Sequence, residues 1–304
     1  MMTDQPDPET DFLEQLGQRV RTMRGLRGMS RKVLAKVSGI SERYIAQLEG
    51  GKGNVSIILL RRVAQAMGAH LEDLISAGGM VEDWPVIRDL VRNGTPAQIA
   101  QAKDILAGRG LSKLHLRTPF NGIALIGLRG AGKSTLGKLL ADKIGWAFVE
   151  LNKEIEHQNG LSIAEIIAMY GQEGFRRLEQ TALNNLLAGK EPVVLATGGG
   201  IVSEPLTFDR VLSSFYTIWL KAKPEEHMAR VRRQGDLRPM ADDRSAMQEL
   251  RTILLSREPL YARASTTVDT AGLSKEKAAS QLVSAVSRIL DTNAEAFGLR
   301  SAAS

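Results

Sequence analysis

The spacing of apolar residues divides the chain into two parts. Between residues 11 and 75 they recur at helical spacing, and no strand-like run interrupts them. The first set comprises Phe12, Leu13, Leu16, Val20 and Met23. Beyond residue 119, short apolar runs alternate with helical stretches, which is typical of a parallel sheet flanked by helices. We predict strands over residues 123–126, 146–149, 192–196, 215–220 and 266–268.

The predicted fold class is an all-α domain followed by an α/β domain with a central parallel sheet. In order, the segments are a disordered tail at 1–10, an all-α domain at 11–80, a helical linker at 81–118, an α/β domain at 119–291 and a disordered tail at 292–304. Within the linker we predict helices over residues 84–91 and 95–107.

Composition supports two folded domains. The chain has 304 residues, of which 43% are hydrophobic and 24% are charged, as in proteins that bury a sizeable core. It holds no run of 18 apolar residues and begins with an acidic segment, so we predict a cytoplasmic protein without a membrane partner. There are no cysteines, and the four histidines lack metal-ligand spacing, which argues against a dedicated metal site.

Positive charge is concentrated in the all-α segment. Residues 11–67 contain eleven Lys or Arg and four acidic residues, a local charge of +7 in a chain whose net charge is +6. A basic block of this kind is typical of proteins that bind nucleic acid, although it also occurs on ordinary solvated surfaces.

A helix-turn-helix pattern lies inside this basic block. Ser30 is a suitable N-cap for one helix, and Gly39 ends that helix where a left-handed turn is needed. Ser41 then caps a second helix that runs to Glu49. Ala35 is small enough for the two helices to cross closely, as this motif requires.

Residues 16–75 resemble the Xre/Cro repressor family, most clearly in Ser-Gly-Ile-Ser-Glu-Arg-Tyr-Ile-Ala-Gln-Leu-Glu-Gly-Gly-Lys. The resemblance implies a five-helix domain that binds a pseudo-palindromic double-stranded DNA operator as a dimer, with residues 41–49 in the major groove. It assigns base contacts to Glu42, Arg43, Tyr44 and Gln47, and phosphate contacts to Arg31, Lys32 and Lys52. Arg43 suits guanine and Gln47 suits adenine.

A phosphate-binding motif follows the first predicted strand of the α/β segment. Gly-Leu-Arg-Gly-Ala-Gly-Lys-Ser matches G-x-x-x-x-G-K-[ST] and opens a helix. The backbone N–H groups of such a loop hold phosphates, Lys133 reaches the outer phosphates, and Ser134 can ligate Mg²⁺. The predicted nucleotide-binding residues here are Gly127, Gly130, Ala131, Gly132, Lys133, Ser134 and Thr135.

Residues 120–290 resemble shikimate kinase in the order and spacing of several motifs. These are Gly-Phe-Arg-Arg-Leu-Glu from residue 174, Thr-Gly-Gly-Gly from 197, Leu-Arg-Pro from 237 and Arg-Glu-Pro-Leu-Tyr from 257. The resemblance implies that the acceptor is bound by Arg176, Gly198, Gly199, Gly200 and Arg257. It also implies that Arg238 closes over the nucleotide.

One position departs from the shikimate kinase pattern. Where that family has Asp-Thr-Asp after the second strand, this chain has Glu150-Leu151-Asn152. Asn152 has no ionisable carboxylate to accept a proton, and Glu150 is one methylene longer than Asp. We therefore predict inefficient phosphorylation of shikimate, with no catalytic residue assigned except Lys133 if the domain is active. Glu150 and Asn152 would instead join the arginines and glycines in an effector site.

The two-part arrangement is similar to the BzdR/BoxR regulators of benzoate catabolism. In those regulators a linker joins a helix-turn-helix domain to a shikimate-kinase-like domain that recognises benzoyl-CoA. The resemblance implies a dimeric repressor of aromatic-acid genes, with benzoyl-CoA as effector and the linker passing the ligand signal to the DNA-binding domains. No cofactor is required, although the phosphate loop permits ATP and Mg²⁺.

Two alternatives stay open on the sequence. The first is an active ATP-dependent small-molecule kinase whose DNA-binding domain regulates its own gene. In the second, ATP itself is the effector and no chemistry takes place.

Overall fold

The computed structural model describes residues 8–52, 54–76, 84–106, 121–189, 191–233 and 243–292. The first domain consists of α1 (Pro8–Leu26), α2 (Arg31–Ser38), α3 (Glu42–Glu49), α4 (Ile57–Ala66) and α5 (Leu71–Ile75). The linker forms α6 (Trp84–Asn93) and α7 (Pro96–Leu106). The predicted five-helix domain and both linker helices are confirmed. Helix α1 begins at Pro8, inside the segment predicted as a tail, because proline suits the first turn of a helix.

The helix-turn-helix has the predicted local geometry. Ser30 Oγ accepts a hydrogen bond from the Val33 amide at 3.1 Å, and Ser41 Oγ accepts one from the Tyr44 amide at 3.2 Å. Gly39, with φ of 66°, ends α2 in the left-handed region. The domain core includes Leu16, Val20, Leu34, Ile45, Leu48, Val63 and Leu74.

Phe12, the first residue of the apolar set on α1, is not part of the domain core. Its side chain is 40% exposed, because it lies in the first turns of α1 before the helix meets the rest of the core. The Arg19 guanidinium lies over its ring, 6.0 Å from the ring centroid.

A buried ion-pair cluster joins the first three helices. Arg24 of α1 contacts Glu49 of α3 through Nε–Oε1 at 2.5 Å and Nη2–Oε2 at 3.2 Å. Arg31 of α2 adds a bond to Glu49 Oε2 at 2.8 Å. Burial raises the pKa of Glu49, but the two guanidinium groups outweigh it and hold this pKa below its ordinary value.

The second domain is built on five parallel strands. These are β1 (Gly122–Ile126), β2 (Ala147–Glu150), β3 (Val193–Ala196), β4 (Tyr216–Lys221) and β5 (Thr266–Asp269). Their order in the sheet is β2-β3-β1-β4-β5, so β1 is central and every one of its residues is buried. All five predicted strands are confirmed, with ends that differ by one residue.

Helices cover both faces of this sheet. They are α8 (Lys133–Ile144), α9 (Leu151–Asn159), α10 (Ile163–Leu187), α11 (Pro205–Ser214), α12 (Pro224–Arg233), α13 (Asp243–Tyr261) and α14 (Lys275–Thr292), with a short 3-10 helix at Ile201–Ser203. One apolar cluster packs α8 and α14 on the sheet, and another contains Phe175, Phe208 and Tyr261. Among the described residues, no helix is both long enough and apolar enough to cross a membrane.

The two domains contact each other directly. Helix α1 packs along α13, and α6 packs against α11. Arg88 of α6 also forms an ion pair with Asp73 of α5, so the linker touches both domains. The α1 contact brings the first domain to the carboxyl edge of the sheet, where the parallel strands end.

We expect Glu49→Ala to destabilise the first domain by about 3–5 kcal/mol, because it leaves the buried Arg24 guanidinium unpaired. The lowered pKa of Glu49 adds a pH dependence. The stabilisation is full above the ordinary carboxyl pKa and is lost as the pH falls through the lower folded value. Hydrogen exchange of α1 and α3 measures both effects. Gln47→Ala, an exposed change on the same helix, is the control, and equal exchange in the two variants would contradict the prediction.

Candidate functional site

The phosphate loop (residues 127–134) joins β1 to α8 at the carboxyl edge of the sheet. Lys133 is buried, and its Nζ donates to the carbonyls of Gly127 at 2.8 Å and Leu128 at 3.0 Å. Burial, together with the nearby positive charges of Arg257 and Arg129, lowers the pKa of Lys133 to about 7. A phosphate bound at this loop would favour the protonated amine and so restore the full positive charge of Lys133.

Two possible metal ligands lie together: the Ser134 hydroxyl at the start of α8 and the Glu150 carboxylate at the end of β2. Ser134 Oγ donates a hydrogen bond to the Glu150 carboxylate, which also pairs with Lys153 at 2.6 Å. Burial raises the pKa of Glu150, but the hydrogen bonds with Lys153 and Ser134 outweigh it and hold this pKa below its ordinary value, so the carboxylate stays ionised. A hydroxyl beside an ionised carboxylate is a donor set that suits Mg²⁺, and these residues fit that ion.

The triple-glycine loop (residues 198–200) approaches its neighbours more closely than any side chain would allow. A Cβ at Gly199 would lie 2.7 Å from the Arg129 backbone nitrogen. A Cβ at Gly200 would lie 2.8 Å from Arg176 Nη2, and one at Gly198 would lie 2.9 Å from Asn152 Oδ1. Glycine at these positions thus lets the phosphate loop, Arg176 and Asn152 all approach this loop closely.

Two buried acceptor atoms beside the triple-glycine loop have no hydrogen-bond partner. They are Asn152 Oδ1 and Glu179 Oε1. Glu179 is fully buried and its other oxygen accepts a bond from Arg176 Nη1 at 2.6 Å, while burial raises its pKa. Unpaired buried acceptors are costly, so this site favours a ligand with hydrogen-bond donors. By contrast Leu151 packs wholly in the core and does not border it.

The two predicted effector arginines have different partners. Arg176 pairs with Glu179 and lies over the Phe175 ring, 5.0 Å from its centroid. Arg257 Nη1 donates to the Gly199 carbonyl at 3.0 Å, and its other nitrogens donate to Leu26 of the first domain. Asn152, Arg176 and Arg257 therefore lie beside the triple-glycine loop, where Arg257 is covered by Leu26. Glu150 does not join them, because its carboxylate contacts Ser134 and Lys153. Arg238 lies outside the described residues.

Several residues that shape this site were not predicted. His227 Nδ1 lies 3.0 Å from the Arg129 carbonyl oxygen, and Arg230 donates to the Gly130 carbonyl at 3.3 Å. Helix α12 therefore helps to hold the phosphate loop in position. Burial lowers the pKa of His227 to about 4, which keeps it neutral. Glu179 could have been found from its position three residues after Arg176 on a helix. The contacts of α12 leave no comparable signal in the sequence.

Five of the seven predicted DNA-contacting residues are exposed to solvent. Glu42, Arg43, Gln47, Lys32 and Lys52 are exposed. Tyr44 is half-buried and packs against the domain core, so the prediction that it faces outward holds only in part. Arg31 is also engaged, because its guanidinium pairs with Glu49.

Together, the parallel sheet and the phosphate loop define a P-loop kinase-like domain, joined in this chain to a helix-turn-helix domain. The family model for shikimate kinase matches residues 129–287, and that for helix-turn-helix matches residues 20–74. Because the first match spans more than half of the chain, the protein belongs to the shikimate kinase family.

Individual relatives agree with this assignment. Shikimate kinase of Nitrobacter winogradskyi is 40% identical over 146 residues, covering 48% of this chain and 67% of that protein. Shikimate kinase of Thermus thermophilus is 32% identical over 173 residues, covering 57% and 94%. Among solved structures, shikimate kinase from Acinetobacter baumannii in complex with shikimate is 31% identical with a TM-score of 0.50, covering 58% of this chain and 96% of that one.

The lowered pKa of Lys133 predicts proton uptake when ADP binds the phosphate loop. Phosphate charges favour the protonated amine, so affinity falls about tenfold per pH unit above pH 7. Calorimetry in two buffers of different ionisation enthalpy measures the uptake. Lys133→Met removes the pH slope, whereas the exposed Lys143→Met keeps it. A pH-independent affinity in the native protein would contradict this assignment.

Proposed function

We propose that the protein is a transcriptional regulator that binds DNA through its first domain and senses a small anionic ligand through its kinase-like domain. One observation carries this proposal: α3 has an exposed polar face, and the same chain also contains a phosphate loop. Arg43 and Gln47 extend from that face, where they are suited to base edges in the major groove. Exposed Lys32 and Lys52 flank it and suit phosphate contacts.

A sensing role is supported by what the kinase-like domain retains and lacks. It retains a phosphate loop with a buried lysine and two arginines beside the triple-glycine loop. At the position where shikimate kinases carry a carboxylate it has Asn152, which cannot take a proton from an attacking hydroxyl. Anion binding is thus preserved while general-base chemistry is weakened.

The proposed effector is benzoyl-CoA, on the basis of the similarity to the BzdR/BoxR regulators. The phosphate loop would hold the phosphates of coenzyme A, since its N–H groups and the α8 dipole attract anions. The acyl group would occupy the site beside Asn152.

We further propose a homodimer that represses genes of aromatic-acid catabolism. Leu90, Val91 and Leu106 are exposed on the linker helices and offer an apolar face to a second copy.

A DNA-binding titration by fluorescence anisotropy on the upstream region, at fixed salt, tests this function. We expect specific binding that benzoyl-CoA weakens. Arg43→Ala should lower operator affinity by about 1–3 kcal/mol and leave benzoyl-CoA binding unchanged. Lys133→Ala should do the reverse, with normal operator affinity and a weakened benzoyl-CoA response. Absence of specific DNA binding would reject the proposal. An operator affinity that benzoyl-CoA does not change would reject benzoyl-CoA as the effector.

A second candidate function is an active kinase with an appended DNA-binding domain. The unpaired acceptors Asn152 Oδ1 and Glu179 Oε1 favour it, because hydroxyl groups of an acceptor would satisfy them. Ser134 and Glu150 would hold Mg²⁺, which would neutralise phosphate charge during transfer. Lys133 would then stabilise the transferred phosphoryl group.

Shikimate phosphorylation assays separate the two candidates. If sensing is the function, native turnover is negligible, and Asn152→Asp raises it by about 10²–10⁴-fold by restoring a general base. If the protein is a kinase, the native chain turns over and Asn152→Asp changes the rate little. Lys133→Ala should abolish any turnover in either background, which controls for contaminating kinases.

A further inference from the structure

Arg257 is a buried guanidinium whose partners are all neutral oxygens. It is 5% exposed, and it donates to the Gly199 carbonyl, to Ser203 Oγ and to Leu26. Within the part of the chain that the structure describes, no carboxylate lies within ion-pair distance of it. Arg176 contributes a second positive charge nearby. A buried cation in such surroundings favours an anionic partner.

The carbonyl oxygen of Leu26 accepts three hydrogen bonds at this guanidinium. Arg257 Nε and Nη2 both donate to it, at 2.8 and 2.6 Å, and Ser203 Oγ donates to the same atom. A carbonyl oxygen has two lone pairs, so it cannot fully satisfy three donors, whereas a carboxylate offers about four acceptor positions. The Nε–Nη2 edge of a guanidinium is also suited to bidentate carboxylate binding.

This carbonyl belongs to the DNA-binding domain. Leu26 is the last residue of α1, and the free carbonyls at a helix C-terminus carry the negative end of its dipole. Gly28, with φ of 68°, lets the chain turn away beside Arg257, because a Cβ there would lie 2.8 Å from Nη2. Arg27 supports the contact by donating to the Ser203 carbonyl and pairing with Glu204 at 3.6 Å.

We propose that the C-terminal end of α1 and the carboxylate or similar oxyanion of a small ligand compete for Arg257, so that ligand binding releases the DNA-binding domain from the kinase-like domain. This inference rests on the proposed function, since it describes how the ligand of that site acts on the other domain. The competing oxyanion would be the carboxylate in shikimate and one of the coenzyme A phosphates in benzoyl-CoA, which has no carboxylate. Both occupants need the same guanidinium edge, and Arg257 is inaccessible while α1 is docked.

An engineered disulfide tests the competition in the full chain. The protein has no cysteines, and an ideal Cβ on Gly25 lies 3.3 Å from the Ser256 Cβ, close to the range of about 3.5–4.5 Å found in disulfides. Gly25 is helical, and the three atoms nearest to its added Cβ all belong to α13, so Gly25→Cys with Ser256→Cys should cross-link α1 to α13 with little effect on the first domain. The two single variants are controls.

The probes are shikimate and benzoyl-CoA, with ADP as a control for the phosphate loop, and binding is measured by calorimetry before and after reduction. We expect oxidation to weaken binding of at least one of the first two probes by about tenfold to 100-fold, and reduction to restore it. ADP affinity should stay constant, which verifies that the kinase-like domain remains folded.

Three results would overturn the competition. They are no cross-link under oxidising conditions, equal affinity for shikimate and benzoyl-CoA in both redox states, or no binding of either shikimate or benzoyl-CoA to the reduced protein. The test also separates this inference from the proposed function. Cross-link-sensitive binding of shikimate alone would keep the competition and reject benzoyl-CoA as effector. If benzoyl-CoA still releases DNA from the cross-linked protein, the regulator stands and the competition fails.

Discussion

The parallel pairing of β1 with β3 is the constraint on which the site depends. Their register places Leu125 beside Ala196, and the Thr197 amide and hydroxyl both bond to the Leu125 carbonyl. The two strands therefore end together, and the loops that follow them are forced into contact. Glycine at position 199 is required because the phosphate loop backbone lies where a side chain would be.

From this edge the contacts extend to the other domain. The Gly199 carbonyl accepts bonds from the Tyr261 hydroxyl at 2.6 Å and from Arg257 Nη1, which fixes α13 against the triple-glycine loop. The remaining nitrogens of Arg257 then point to α1. A ligand that displaces Leu26 would act on the DNA-binding domain without an intermediate element, and the α6 contact with α5 offers a second connection.

Local features of both domains could be predicted from the sequence. Ser30, Gly39 and Ser41 form the expected caps and turn because capping depends on residues within three or four positions. The strands and the phosphate loop follow from apolar runs and glycine spacing in the same way. Interactions between distant residues could not be predicted. Arg257 and Leu26 are 231 positions apart, and nothing in either local pattern indicates that they meet.

Competition for Arg257 also limits how strongly a ligand can regulate. A ligand shifts the docked and released states only by its differential affinity for them, and its binding must offset the free energy that docking contributes. The docking contact uses neutral oxygens around a buried guanidinium, together with the packing of α1 along α13 and the Arg27–Glu204 pair. An oxyanion is a better partner for that guanidinium than a carbonyl is. The Leu26 carbonyl thus binds Arg257 well enough to position the DNA-binding domain, and a ligand with a negative charge can still replace it.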